Sequence, residues 1–392
     1  YSSAINKNNP EILAAKKKSI PIVSRADMLA ELMRNKHSIA VAGSHGKTTT
    51  TSLVGSVLQE CKIDPTIVNG GIINAFSSNN RLGRGKWMVV EADESDGTLC
   101  EFHVEQAIVL NIDEEHLDYY ASFEAVCEEF IAFARQTTGT IFYCADDPRL
   151  AELYGDWDNA ISYGFNPTAE YRAEIQPDKG FVVWQHEQRL GEFHIQLFGE
   201  KNISNAVSVV AFLHQNGFQA DEIASALVTC YGANRRQQEL FSDKRYRIFD
   251  DYGHHPQEIR ATLRAIKEQC GGRLVVAFQP HRYSRTQSLL SEFSTCFEEA
   301  DLLWVTEVYA ASEAPIADVN GQRLATTIAE AGQPTAYAAT LDLLHEKVRM
   351  AMRPNDVVVF LGAGDITRVA HQVAADLQMK GISHAKSFRK IL

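Results

Sequence analysis

The residues best suited to chemistry form one short run, Gly43-Ser44-His45-Gly46-Lys47-Thr48, followed by Thr49, Thr50 and Thr51. An apolar stretch, Ser38 to Ala42, leads into it, and a helix-like stretch from Thr48 to Gln59 leads out. That strand–loop–helix setting is what a phosphate-cradling loop requires. Backbone N–H groups of such a loop, with the positive end of the helix, can hold phosphate oxygens. Lys47 can neutralise β- and γ-phosphates, and the Thr48 hydroxyl can ligate Mg²⁺. The spacing is GxxGKT, shorter than the common GxxxxGK[ST] loop. A chance glycine turn is the bland alternative, but lysine, threonine, strand and helix all agree on nucleotide binding.

Other strand ends point the same way, since ligands of open α/β sheets sit at the carboxyl ends of strands. Trp87 to Glu91 is a buried-strand candidate that closes on a carboxylate, in Glu91-Ala92-Asp93-Glu94-Ser95-Asp96. Ala107 to Ile112 is another, and His116 lies just beyond it. A carboxylate and an imidazole beside a triphosphate can hold a divalent cation. Most of Asp93 to Asp96 reads as solvated loop charge.

These residues need a scaffold of alternating strands and helices. Phe123, Val126, Cys127, Phe130, Ile131 and Ala134 fall at helical spacing. Segment 140–200 is strand-like and rich in turns, and Asn205 to Asn216 is helix-like. After Tyr231 a second alternation begins, with apolar runs at Arg247 to Asp250, Leu274 to Phe278, Leu302 to Val305 and Val357 to Leu361. The pattern is an α/β protein with parallel sheets covered by helices, and a second doubly wound unit beginning near Gly232.

Bulk properties agree. The 392 residues allow two or three domains, and 45% apolar with 22% charged residues is ordinary globular composition. No run approaches the ~18 apolar residues of a membrane span. A net charge of −12 disfavours nucleic acid and acidic lipid as partners, so positives for an anionic substrate must be concentrated in a site. Seven scattered cysteines, none in Cys-x-x-Cys, read as reduced thiols, and no signal peptide is visible, so a cytoplasmic location is expected. The basic tail from Lys380 to Leu392 reads as a frayed helix end.

Further runs complete a resemblance: Asp250-Asp251-Tyr252-Gly253-His254-His255-Pro256, Gln279-Pro280-His281-Arg282-Tyr283-Ser284-Arg285-Thr286, Glu313-Ala314-Pro315-Ile316 and Gly362-Ala363-Gly364-Asp365. With the GxxGKTTT loop and the Glu91 run, they resemble the Mur ligase family over essentially the whole chain. Members of that family add amino acids to a UDP-muramoyl precursor of peptidoglycan at the expense of ATP. The Gln-Pro-His-Arg-x-x-Arg-Thr run favours the alanine-adding branch. The resemblance implies a central P-loop ATPase-type domain at 27–231, a Rossmann-like C-terminal domain at 232–392 that binds the amino acid, and at 1–26 only the end of an N-terminal UDP-binding domain. It implies ATP and Mg²⁺ as cofactors, UDP-N-acetylmuramate and L-alanine as substrates, and a monomer or weak homodimer without nucleic-acid or membrane partners.

Carried over by position, the resemblance gives Gly43, Ser44, His45, Gly46, Lys47, Thr48 and Thr49 to the ATP phosphates, with Thr48, Glu91 and His116 as metal ligands. Asn202 and Asn205 resemble adenine-contacting asparagines, Arg236 the phosphate-contacting arginine and Asp251 the ribose-contacting aspartate. Tyr252, His254, Arg282 and Arg285 resemble an L-alanine pocket. Departures are Lys201 where the family has His, Gln237 where it has Phe, and no lysine between Ile112 and Thr140 that could be carbamylated.

Chemically, Arg282 and Arg285 would share a face of one helical turn and grip the alanine carboxylate as paired guanidiniums. His254, at a strand-to-helix junction, would orient or deprotonate the amine. The expected reaction is acyl-phosphate formation followed by amine attack, with domain closure excluding water. Alternatives are a murein-tripeptide or folylpolyglutamate synthase-like ligase, or an inactive nucleotide-binding module.

Overall fold

A computed structural model describes residues 1–2, 5–95, 97–114, 119–177 and 180–388, with side chains as far as 379. His116, one of the expected metal ligands, lies outside the described residues. The chain divides into two compact units, Tyr1–Leu197 with Lys201–Ala233, and Phe198–Glu200 with Asn234–Leu392.

The first unit is built on one ten-stranded sheet. Its strands are β1 (His37–Ala42), β2 (Thr66–Ile73), β3 (Ser78–Arg81), β4 (Trp87–Glu91), β5 (Gln106–Val109), β6 (Ile141–Cys144), β7 (Ala160–Gly164), β8 (Tyr171–Ile175), β9 (Phe181–Gln185) and β10 (Gln188–Phe193). The order is β10-β9-β8-β7-β6-β5-β1-β4-β2-β3. Strands β2 and β4 to β8 pair in parallel around β1, whereas β3, β9 and β10 join antiparallel. The parallel sheet expected from the apolar runs is therefore the centre of a mixed one.

Central strands read as unbroken apolar runs because both faces are covered. Every residue of β1 after His37 is buried. The helix Lys47–Glu60 behaves likewise, with Thr48 to Leu58 all buried, which explains why its sequence lacks a polar stripe. Helix Phe123–Gln136 is amphipathic, starts at Ser122, whose hydroxyl accepts from the Ala125 N–H, and buries Phe130 and Phe133. Each buried phenyl contributes about 1.5–3 kcal/mol.

The second unit carries a six-stranded sheet of β11 (Gln238–Ser242), β12 (Tyr246–Asp251), β13 (Leu274–Phe278), β14 (Leu302–Thr306), β15 (Thr335–Ala338) and β16 (Asp356–Leu361), ordered β11-β12-β16-β13-β14-β15. All neighbours are parallel except β11 with β12. Parallel register puts the carboxyl ends of β12, β13, β14 and β16 along one edge, so the loops after Asp251, Phe278, Thr306 and Leu361 leave the sheet side by side.

Candidate active site

The loop after β1 is shaped by what surrounds it. Gly43 has φ 135°, and a Cβ there would lie 3.0 Å from the Leu110 Cβ and 3.1 Å from the Asn111 backbone. Gly46 has φ 87°, and its missing Cβ would meet the Asn205 amide at 3.0 Å. Both positions need glycine for conformation and for space. Asn111 clamps the loop: its Oδ1 accepts from the His45 N–H at 2.8 Å and its Nδ2 donates to the His45 carbonyl at 3.0 Å. The Ser44 N–H donates to the Asn111 carbonyl at 3.1 Å, and the Ser44 hydroxyl accepts from the Asp113 N–H at 2.9 Å. His45 Nε2 lies 2.9 Å from Asp113.

The two residues that open the helix each meet a carboxylate from the end of β4. The Thr48 hydroxyl donates to Glu91 Oε1 at 2.9 Å, and Glu91 Oε2 accepts from the Gly70 N–H at 2.7 Å. Lys47 Nζ donates to Glu94 Oε2 at 2.8 Å and Oε1 at 3.0 Å, and also to the Gly43 and Ser44 carbonyls at 2.7 and 3.2 Å. Burial opposes the Lys47 charge, but Glu94, Asp93 and Glu91 outweigh it and hold the ammonium well above the usual lysine range. Glu94 is fully buried, while Asp93 is exposed. Reading this acidic run as solvated charge is corrected at Glu94: the helix of the phosphate loop offers an ammonium that a carboxylate three residues past the strand can reach.

Asn205 sits against the phosphate loop through Gly46, while Asn202 is half-buried and Lys201 exposed at the start of helix Glu200–Gln215. Among the described residues no three His, Cys, Asp or Glu side chains gather as a metal site. The Thr48 hydroxyl and the Glu91 carboxylate, 2.9 Å apart, are hard oxygen donors of the kind that Mg²⁺ takes.

In the second unit the adjoining loops bring Tyr252, His254, His281, Arg285 and Tyr309 together. His254 and His281 ring centroids are 5.4 Å apart, His281 stacks on Tyr309 at 5.7 Å, and Tyr252 meets His254 at 5.4 Å. Arg235 and Arg236 stand over the Tyr252 ring at 5.0 and 5.1 Å. Arg236 also lies 3.9 Å from Glu258. Arg285 donates to His281 Nδ1 at 3.2 Å, so that nitrogen is unprotonated. His254 Nδ1 faces the Tyr252 carbonyl at 3.1 Å and must donate, which leaves the lone pair on Nε2.

Asp251 is held by the Gln237 and Gly253 N–H groups at 2.7 and 2.8 Å. Burial pushes its carboxyl up to about 6 against the pull of Arg236 and those amides. Gln237 Oε1 accepts from the Phe198 N–H at 2.8 Å, a bond that a phenylalanine side chain in its place could not accept. Arg235, not singled out by sequence, donates to the Gly362 and Gly364 carbonyls, and Gln279 accepts from the Ile366 N–H at 3.0 Å. Together they fasten the last glycine loop.

The arginine pair is corrected in one respect. The helix is Tyr283–Ser288, and Arg282 precedes it with φ 68°, so the two arginines do not share a helical face. The Arg282 N–H is fixed by the Tyr309 carbonyl at 2.8 Å. Nothing local in the sequence marks a left-handed arginine.

Burial lowers His254 to about 4, with Arg285 and Arg236 adding to the effect against Glu258. Burial, the cost of protonating a second ring beside His254, and the charges of Arg285 and Arg282 likewise lower His281 to about 4. Both imidazoles are therefore neutral at pH 7, and only His254 keeps a lone pair, on Nε2, outside the hydrogen bonds given above. An NMR titration of the ligand-free protein should show both rings unprotonated from pH 7 down to about 5, below the ~6.5 of a free imidazole. A midpoint near 6.5 for either would contradict this environment.

Residues 41–213 match the Mur ligase middle domain, 234–364 the Mur ligase glutamate ligase domain, and 1–37 the Mur ligase family catalytic domain. The UDP-N-acetylmuramate–L-alanine ligases of Brucella anthropi and Rhizobium etli are each 43% identical, over 97% of this chain and 84% of theirs. The crystal structure of the UDP-N-acetylmuramate–alanine ligase of Thermotoga maritima superposes with a TM-score of 0.83 at 28% identity, covering 97% of this chain and 84% of that one. A murein peptide ligase of Psychrobacter arcticus, at 20% identity and TM-score 0.67, shares the fold, covering 95% of this chain and 84% of that chain. The phosphate loop, the two sheets and these similarities agree, and the chain belongs to the Mur ligase family.

Proposed function

We propose that this chain joins L-alanine to the carboxylate of UDP-N-acetylmuramate in an ATP-dependent step of peptidoglycan precursor synthesis. The observation that carries the reading is the 43% identity to alanine-adding ligases over 97% of the chain, together with a preformed phosphate loop. Residues 27–231 take the nucleotide and 232–392 the amino acid. No described helix is long and apolar enough to cross a membrane, and the setting we assign is the cytoplasm.

In the first step the muramoyl carboxylate oxygen attacks the γ-phosphorus. A new O–P bond forms, the bond to the β-bridging oxygen breaks, and ADP leaves. Lys47 and the N–H groups that open helix Lys47–Glu60 stabilise the charge on the moving phosphoryl group. Thr48 and Glu91 would hold Mg²⁺, with His116 assigned by resemblance, and the ion when bound neutralises phosphate charge.

In the second step the alanine nitrogen attacks the acyl carbon, the C–N bond forms and inorganic phosphate departs. Arg282 and Arg285 bind the alanine carboxylate, and Tyr252 forms part of the pocket wall. His254 Nε2, unprotonated and close to His281, takes the proton from the attacking amine. Asn202, Asn205, Arg236 and Asp251 are assigned to the nucleotide by resemblance. The test is phosphate release with ATP, Mg²⁺, UDP-N-acetylmuramate and each of a panel of amino acids. Release should depend on L-alanine; release driven equally by a peptide or by glutamate, or no acceptor-dependent release, would refute the assignment.

A further inference from the structure

An ammonium has three N–H donors, yet Lys47 Nζ has four oxygens within 3.2 Å: two from Glu94 and the carbonyls of Gly43 and Ser44. No donor is left for a phosphate unless a partner is given up. The two carbonyls belong to the loop that wraps the phosphate, and they are fixed through the Asn111 clamp. Glu94 is a side chain with rotatable bonds. Its main chain is tied separately, because the Tyr120 hydroxyl donates to the Glu94 carbonyl at 2.5 Å. Of the Lys47 partners, Glu94 is thus the one presented by a side chain and not by the loop's own main chain. A phosphate seated beside the buried Glu94 carboxylate would also meet like charge in a medium that screens it poorly.

We propose that Glu94 is a stand-in anion, holding Lys47 while the loop is empty and releasing it when nucleotide enters. It is a positioning residue, and the idea rests on reading the loop as a nucleotide site. Entry of ATP then exchanges one buried carboxylate for phosphate oxygens on the same ammonium. The carboxylate keeps the lysine charged and aimed along the loop, and competition from it lowers the resting affinity for nucleotide.

The test is calorimetric titration with the non-hydrolysable β,γ-imido analogue of ATP, in chelator and then in Mg²⁺, on the whole chain. Wild type should bind. Glu94→Gln should bind roughly tenfold tighter, the scale of one charge contact. Glu94→Asp keeps the charge and should stay near wild type. A folded Glu94→Gln variant that binds equally or more weakly overturns the exchange while leaving the nucleotide reading intact. No binding by wild type overturns both. A wild-type crystal structure with the analogue serves even if the variant fails to fold. Glu94 should have left Lys47 and a phosphate oxygen replaced it; Lys47 still holding both Glu94 oxygens would refute the proposal.

Discussion

Lys47→Ala is expected to lower kcat for alanine-dependent phosphate release by about 10³-fold, the scale of losing one preorganised charge from the transition state. It should also destabilise the first unit. The substitution strands Glu94, whose side chain is 1% exposed, without its main counter-ion, and a broken buried pair costs about 3–5 kcal/mol. These two effects separate in the double variant Lys47→Met/Glu94→Gln, which replaces the pair by neutral side chains of similar volume. Urea denaturation should show most of the stability recovered, while phosphate release stays at the level of the single variant. Activity that returned together with stability would mean that Lys47 serves the fold alone.

Asn111→Ala should weaken ATP binding without touching any atom that contacts ATP. Alanine removes both bonds to the His45 main chain, which is buried. Each polar group left unmatched costs about 1–3 kcal/mol, so the loop should lose its fixed shape while the sheet beneath it persists. KM for ATP should rise by about tenfold or more, since 1.4 kcal/mol is a factor of ten. Hydrogen exchange at residues 43–48 should accelerate while β1 and β5 stay protected. Asn111→Asp keeps the acceptor for the His45 N–H but turns the donor into an anion beside the phosphate site. It should bind ATP less well than Asn111→Ala despite the closer shape.

Much of this architecture was legible because burial writes itself into composition. β4 and β13 lie where the apolar runs put them, at Trp87–Glu91 and Leu274–Phe278, and β1, β12, β14 and β16 differ from the expected runs by a residue or two. β11 and β15 were not visible, and both are sheet edges: Gln-Glu-Leu-Phe-Ser and Thr-Ala-Tyr-Ala are half-covered and carry no continuous apolar signal. Within the site, Lys47 and Thr48 are recognisable because their chemistry is local to one loop. Asn111 is not, because it meets His45 from 66 residues away. Glu94 was hidden for a related reason. In sequence it is one acid among several, and only the packing distinguishes it from exposed Asp93. The left-handed Arg282 marks a third kind of illegibility, a conformation imposed by the Tyr309 carbonyl on a residue with no intrinsic preference for it.

Phe198–Glu200 is counted with the second unit although residues on both sides of it belong to the first. The Phe198 ring packs against Phe249 and its N–H is received by Gln237. A recombination joint placed between Ala233 and Asn234 would carry over the whole six-stranded sheet and leave that ring behind in the donor gene. The recipient would have to supply an equivalent aromatic from a stretch of sequence more than thirty residues upstream. The six-stranded unit is thus not encoded by one uninterrupted stretch of the gene, and a chimera joined at residue 233 must restore the Phe198–Phe249 contact.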